Sequence, residues 1–267
     1  MKTYSEWFTG PRWAYPVEKQ QGFWRSLGFF VLLFVCLQIF QIIFTPLVFW
    51  ALYYGPTTNL AVIETYRSPA VMQSLLIAMF PAVIPTVFLG LYFSKFGLPH
   101  KQGKLPLEWP KLGVLGWIGV LVGFLVAMLV LLNGLYWAMG FDPQKGSGLV
   151  EQTMMDLAKN RNLFALSLPS IVIGAPLSEE LLFRGILFAG LVTTPVGRTG
   201  AVIITAALWS LAHAGPAPWI NVGLIFVMGL ALGILLLRFG SLWITIACHT
   251  AWNAGNAIVL YLAGLHS

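Results

Sequence analysis

The sequence predicts an all-α protein, a polytopic transmembrane helical bundle of about seven to eight spans. Three observations lead there. Of the 267 residues, 58% are hydrophobic and only 9% charged, whereas soluble domains carry about 25% charged residues. The apolar residues gather into runs of roughly 20, the length that crosses a bilayer core. Many of the 11 tryptophans fall near the ends of those runs, where an interfacial belt places them. The net charge of +6 is spread along the loops rather than gathered in a stripe, which argues against nucleic acid as a partner. On a membrane protein such charges report orientation.

Residues 1–25 are polar and aromatic and form a cytoplasmic or interfacial N-terminal segment. The apolar run that follows is too long for the core of a signal peptide and reads as a retained span. Spans are placed at 26–53, 69–93, 112–139, 163–192, 201–212, 219–237 and 242–262. The fifth is short, so it begins earlier or ends inside the protein, where irregular backbone is tolerated. An eighth arises if the long fourth run divides near Pro176. Tight turns are expected at 215–218, "GPAP", and at 238–241, "RFGS". Between the third and fourth spans, Leu149, Val150 and Met154 recur at helical spacing and suggest a short surface helix. The chain thus divides into the N-terminal segment 1–25, N-terminal spans and loops over 26–162, and a C-terminal membrane core over 163–267.

Lysine and arginine set the topology. Lys2, Arg12, Lys19 and Arg25 precede the first span, and Lys95, Lys101, Lys104 and Lys111 precede the third. The loop between the first two spans has only Arg67. This distribution puts the N-terminus in the cytoplasm, with Arg198 and Arg238 on the same side. Lys145, Lys159 and Arg161 fall on the other side, accompanied by Asp142, Glu151 and Asp156. Cys36 and Cys248 lie in apolar runs with no disulfide or metal-pair spacing. Gly229 and Gly233 form a small-xxx-small pair, a helix-packing signal.

Polar groups inside the spans are few. Seven of the nine acidic residues lie in the N-terminal segment or in loops; the other two are Glu179 and Glu180, in "APLSEELLFRG". Arg184 is the one basic residue well inside an apolar run, and His213, His249 and Asn253 follow at or inside later spans. Ionisable groups in spans face a bundle interior or a cavity and mark function by default. Glu180 and Arg184 stand at i and i+4 and can pair, each offsetting the desolvation of the other. Glu179 points about 100° away and has no local partner. His249 and Asn253 also stand at i and i+4, so both can face one pocket or simply form an interhelical hydrogen-bonded pair. His213 closes "WSLAH", where an interface histidine is the plain structural alternative. One carboxylate, two imidazoles and one amide on separate helices nevertheless make a hydrolytic set.

These residues resemble the CPBP family of intramembrane proteases, the CAAX protease and bacteriocin-processing group also called Abi. Its pattern is Glu-Glu-x-x-x-Arg, then aromatic-x-x-x-His, then His-x-x-x-Asn, on separate helices; this chain reads "EELLFR", "WSLAH" and "HTAWN". The family usually has Phe where this chain has Trp209, a position read as packing. The resemblance covers residues 163–262 and implies peptide hydrolysis at the membrane. It implies that Glu179 and His213 activate water, that His249 and Asn253 stabilise the oxyanion, and that Glu180 and Arg184 support the site. Two chemistries fit. A buried Glu or His can act as the base on its own, or Glu179, His213 and His249 can hold a divalent metal such as zinc. The H-E-x-x-H helix of zincins is missing, which weighs against an obligatory metal.

The substrate implied is a peptide or protein at the lipid bilayer, prenylated in CAAX-processing members, and the location a bacterial cytoplasmic membrane. A serine dyad through Ser210 or Ser241 has no recognisable nucleophile motif. Outside proteolysis, a non-catalytic membrane partner or immunity protein would be favoured by degenerate motifs, and here all three are intact. A proton-coupled transporter would be favoured by inverted repeats, and none is evident.

Overall fold

In lipid an apolar segment must pair its own backbone groups, and a helix does so without help from neighbours. The computed structural model describes residues 14, 15, 17, 22–53, 68–94, 105–140, 148–214 and 219–265, and among them it contains helices and no strand. The helices are α1 (Phe23–Tyr53), α2 (Pro69–Ser94), α3 (Val114–Met139), α4 (Leu149–Ala158), α5 (residues 161–191), α6 (Gly197–Ala212), α7 (Trp219–Phe239) and α8 (Leu242–Gly264). Most of the N-terminal segment lies outside the described residues. So do Arg67, Lys95, Lys101, Lys104, Asp142, Lys145 and the 215–218 turn.

Four helices, α1, α2, α3 and α7, are long and apolar enough to cross a membrane by length and composition. The other spans expected from the sequence do form helices, but α5 and α8 carry the polar motifs and α6 is only 16 residues long. Large apolar side chains on α1 and α3, among them Ile42, Leu47, Leu115 and Val130, face outward. A continuous apolar surface of this kind is made for lipid. Exposed tryptophans mark both ends of the bundle: Trp24 and Trp109 at one, Trp50, Trp137 and Trp219 at the other. The protein is an integral membrane protein.

At the centre lies α5, whose residues 180–192 are buried on every side. It packs against α1, α2, α6 and α8. Its Phe188, Ile186 and Leu182 meet Leu33 of α1, Leu232 and Leu236 of α7 and Ile244 of α8 in one apolar core. A smaller cluster joins Met154, Leu157 and Ala158 of α4 to Phe164 and Ala257. So the expected surface helix exists, but its inward stripe is Thr153, Met154, Leu157 and Ala158, while Val150 turns outward.

The fourth run does not divide at Pro176. Instead α5 runs through it, widened into π-turns over Pro169–Gly174 and Glu180–Leu187. The local cause at the first is the missing proline N–H. The Ala175 N–H bonds Ser170 O, five residues back, and Pro176 has no N–H to offer Ile171. The carbonyl so freed is taken by Asn253 of α8, whose Nδ2 donates to Ile171 O at 2.9 Å. The same device joins α5 to α2. Pro81 inside α2 leaves Ile77 O without its helical donor, and Ser170 Oγ donates to it at 3.0 Å while accepting from Phe80 N–H at 3.1 Å. In hydrocarbon such freed groups need partners from neighbouring helices.

Close approach of α6 and α7 depends on glycine. A Cβ on Gly229 would lie 2.8 Å from Ala206 Cβ and 2.9 Å from its Cα, and one on Gly233 would crowd Val202. The turn after α7 closes at Gly240, whose φ of 64° is the left-handed conformation that favours glycine.

Two outcomes follow. Gly229→Ala should lower thermal stability in detergent by about 1–3 kcal/mol through overpacking, whereas Gly223→Ala on the same helix, with open space around it, should not. Asn253→Ala should destabilise by about 1–3 kcal/mol by stranding a buried carbonyl. That cost should shrink by about 1 kcal/mol in a Pro176→Ala background, where residue 176 regains an N–H within reach of Ile171 O, a coupling read by a double-mutant cycle of melting curves.

Candidate active site

Glu179 ends the α-helical turn that begins at Ala175, and Glu180 begins the second π-turn. Their side chains diverge, as neighbours on a helix must. Glu180 is fully buried. Its Oε1 accepts from Arg184 Nη1 at 3.1 Å, the pair expected from the i, i+4 spacing, and also from His249 Nδ1 at 3.0 Å. Arg184, likewise fully buried, reaches Gly229 O through Nη2 at 3.4 Å and lies 4.4 Å from the centroid of the Trp209 ring. The pair therefore does more than neutralise itself, since it also grips α6, α7 and α8.

Glu179 faces the other way, into a site that is partly open, its side chain 17% exposed. Trp209 Nε1 donates to its Oε2 at 2.6 Å. His213 Nε2 stands 4.0 Å from Oε1, and His249 Nε2 stands 3.9 Å from Oε2. Helices α5, α6 and α8 thus bring three of the four candidate catalytic residues to one place. His213 closes α6 and is the most accessible of them, while His249 is buried.

The hydrogen bonds fix the tautomers. His213 Nδ1 lies 2.9 Å from Trp209 O, a carbonyl that can only accept, so Nδ1 carries the proton. His249 Nδ1 donates to the Glu180 carboxylate by the same reasoning. In the neutral rings both Nε2 lone pairs therefore face Glu179. Separations of 3.9 and 4.0 Å exceed a direct hydrogen bond, and a water bonded to both groups would sit beside the line that joins them.

The same distances test the metal reading. Ligands held 2.0–2.1 Å from a tetrahedral ion lie about 3.3 Å apart, closer than these pairs. The two imidazoles address different oxygens of Glu179, and Oε2 is already bonded to Trp209. Among the described residues no three His, Cys, Asp or Glu side chains converge as a metal site requires. Glu179, His213 and His249 as arranged do not fit a His₂Glu zinc centre.

Asn253, expected beside His249, has one amide N–H on Ile171 O, which leaves its second N–H for another acceptor. Ser210 donates to Ala207 O, and Ser241 caps α8 by accepting from Trp243 N–H, so both hydroxyls serve backbone. Cys36 and Cys248 are free thiols.

Two features escaped the sequence. Trp209 was read as packing, but its indole N–H bonds the central carboxylate. The signal was available, since a buried tryptophan needs a partner for its N–H and Trp209 lies one helical turn before His213. Glu180 was paired with Arg184 alone, and its bond to His249 crosses between helices 69 residues apart in sequence.

Residues 161–255 match the family model described as Type II CAAX prenyl endopeptidase Rce1-like. The match covers about a third of the chain and includes all three motifs. No curated protein and no solved structure matches the chain. The three motif helices assembled around Glu179 thus lie within the stretch that is similar to the Rce1-like, CAAX protease family.

Proposed function

We propose that the protein is an intramembrane endopeptidase that cleaves a peptide bond in a membrane-associated protein or peptide, of the CAAX prenyl type. The observation that carries this reading is the convergence of His213 and His249, from separate helices, on Glu179 at 4.0 and 3.9 Å. A water held between Glu179 Oε1 and His213 Nε2 has two acceptors to orient it. Glu179 takes its proton as the oxygen bonds the scissile carbonyl carbon, and a carboxylate placed so is a competent general base. The carbonyl oxygen gains charge. The second N–H of Asn253 and, when its ring carries a proton on Nε2 as well as Nδ1, His249 are the donors for that oxyanion. Preorganised donors of this kind contribute a few kcal/mol. The tetrahedral species then expels the amine, which takes the proton from Glu179, and the C–N bond breaks. Glu180 and Arg184 support the site by fixing His249 and Trp209.

Partly open polar residues at the end of α6, inside an apolar exterior, suit a substrate presented from the bilayer, including one carrying a prenyl chain. The intact motifs and their convergence favour this over a non-catalytic partner or immunity protein. The charge distribution supports a cytoplasmic N-terminus. Arg25, Arg198 and Arg238 all lie at the end of the bundle where α1 begins.

Glu179→Gln should lower cleavage of a farnesylated Cys-a-a-X peptide in liposomes by about 100-fold to 10,000-fold with melting unchanged. Turnover within twofold of the parent protein would reject Glu179 as the base. Strong chelation should leave that activity in place; loss restored by added zinc would overturn the metal-free mechanism.

A further inference from the structure

We infer that Trp209 is a positioning residue for Glu179, fixing the orientation of its carboxylate so that the oxygen on the His213 side is free to take a proton. The inference rests on the reading of Glu179 as the base. Trp209 is buried and contacts Glu179, Arg184, His213 and His249. Its indole N–H holds Glu179 Oε2 at 2.6 Å. Its carbonyl holds His213 Nδ1 at 2.9 Å. Its ring meets His213 and His249 edge-on, at 5.5 and 5.2 Å between centroids, and its face receives the Arg184 guanidinium.

The consequence lies in the carboxylate torsion. Rotation of a glutamate carboxylate is broad, so an unrestrained Glu179 would not hold its carboxylate plane in one orientation. With Oε2 bonded to an N–H that is locked by burial, Oε1 is left facing His213, the accessible histidine. The water site is thereby assigned to the Oε1–His213 side and the oxyanion donors to the His249 side. A phenylalanine at 209 would keep the ring contacts and lose the N–H, so the positioning belongs to tryptophan and not to an aromatic ring in general.

Two measurements test this. In Trp209→Phe, kcat on the farnesylated peptide should fall about 10- to 100-fold, as a misplaced catalytic group does, with KM within about twofold. A kcat within twofold of the parent would overturn the positioning role. Independently of activity, the ¹⁵N-indole spectrum should contain a downfield Nε1–H resonance that disappears in Trp209→Phe and moves upfield in Glu179→Leu. An unmoved resonance in Glu179→Leu would overturn the hydrogen bond itself. If the parent protein does not cleave the peptide at all, the protease reading fails while the resonance still decides the contact.

Discussion

One carboxylate oxygen, Oε1 of Glu180, accepts from Arg184 on its own helix and from His249 on α8. Much of the bundle hangs on that junction. Arg184, held there, extends to the backbone of α7 at Gly229 and lies against Trp209 of α6. Four helices therefore meet through two fully buried ions. Removing one member of such a pair strands the other, at about 3–5 kcal/mol, a loss large enough to explain why two ions stand among the most deeply buried side chains. Gly229 is the steric condition for the arrangement. A side chain there would push α7 from α6 and withdraw the carbonyl that Arg184 reaches.

Prolines organise the rest by subtraction. Pro81 and Pro176 each remove a donor from a helix that cannot borrow one from lipid. Ser170 and Asn253 supply it from across a helix interface. A missing N–H thus becomes a crosslink, from α5 to α2 in one case and from α8 to α5 in the other. Asn253 is fixed by the second crosslink on the face of α8 that His249 shares, one turn away. The backbone irregularity that frees Ile171 O and the amide assigned to the oxyanion are one structural unit.

What was legible in the sequence was what local chemistry decides. A run of about 20 apolar residues has one stable conformation in lipid, so the ends of α1, α2, α3, α7 and α8 fall within a few residues of the runs. Glu180 with Arg184 was legible for a similar reason, because i, i+4 spacing on one helix determines the pair. Trp209 with Glu179, His249 with Glu180 and Asn253 with Ile171 were not, because each spans two helices whose approach is set by the packing of the whole bundle. Pro176 announced a missing donor, but not that the helix would widen rather than break. Zinc was one of two chemistries that the residue types allowed, and residue types carry no distances. The observed spacing, wider than a tetrahedral ion allows, is information that only packing supplies.

The adjacent glutamates are then not duplicates. Consecutive positions on α5 send their carboxylates to opposite nitrogens of one imidazole, Glu180 to Nδ1 at 3.0 Å and Glu179 toward Nε2 at 3.9 Å. The short contact is a hydrogen bond that fixes the ring and its tautomer. The longer one is beyond hydrogen-bond reach. Unbonded and bonded carboxylates are thus separated by less than 1 Å at a single histidine. That separation requires Glu179 to stay back from the ring, and its Oε2 is kept there by the indole N–H of Trp209. A carboxylate freed from that bond would be able to close on His249, and the two groups would then pair directly.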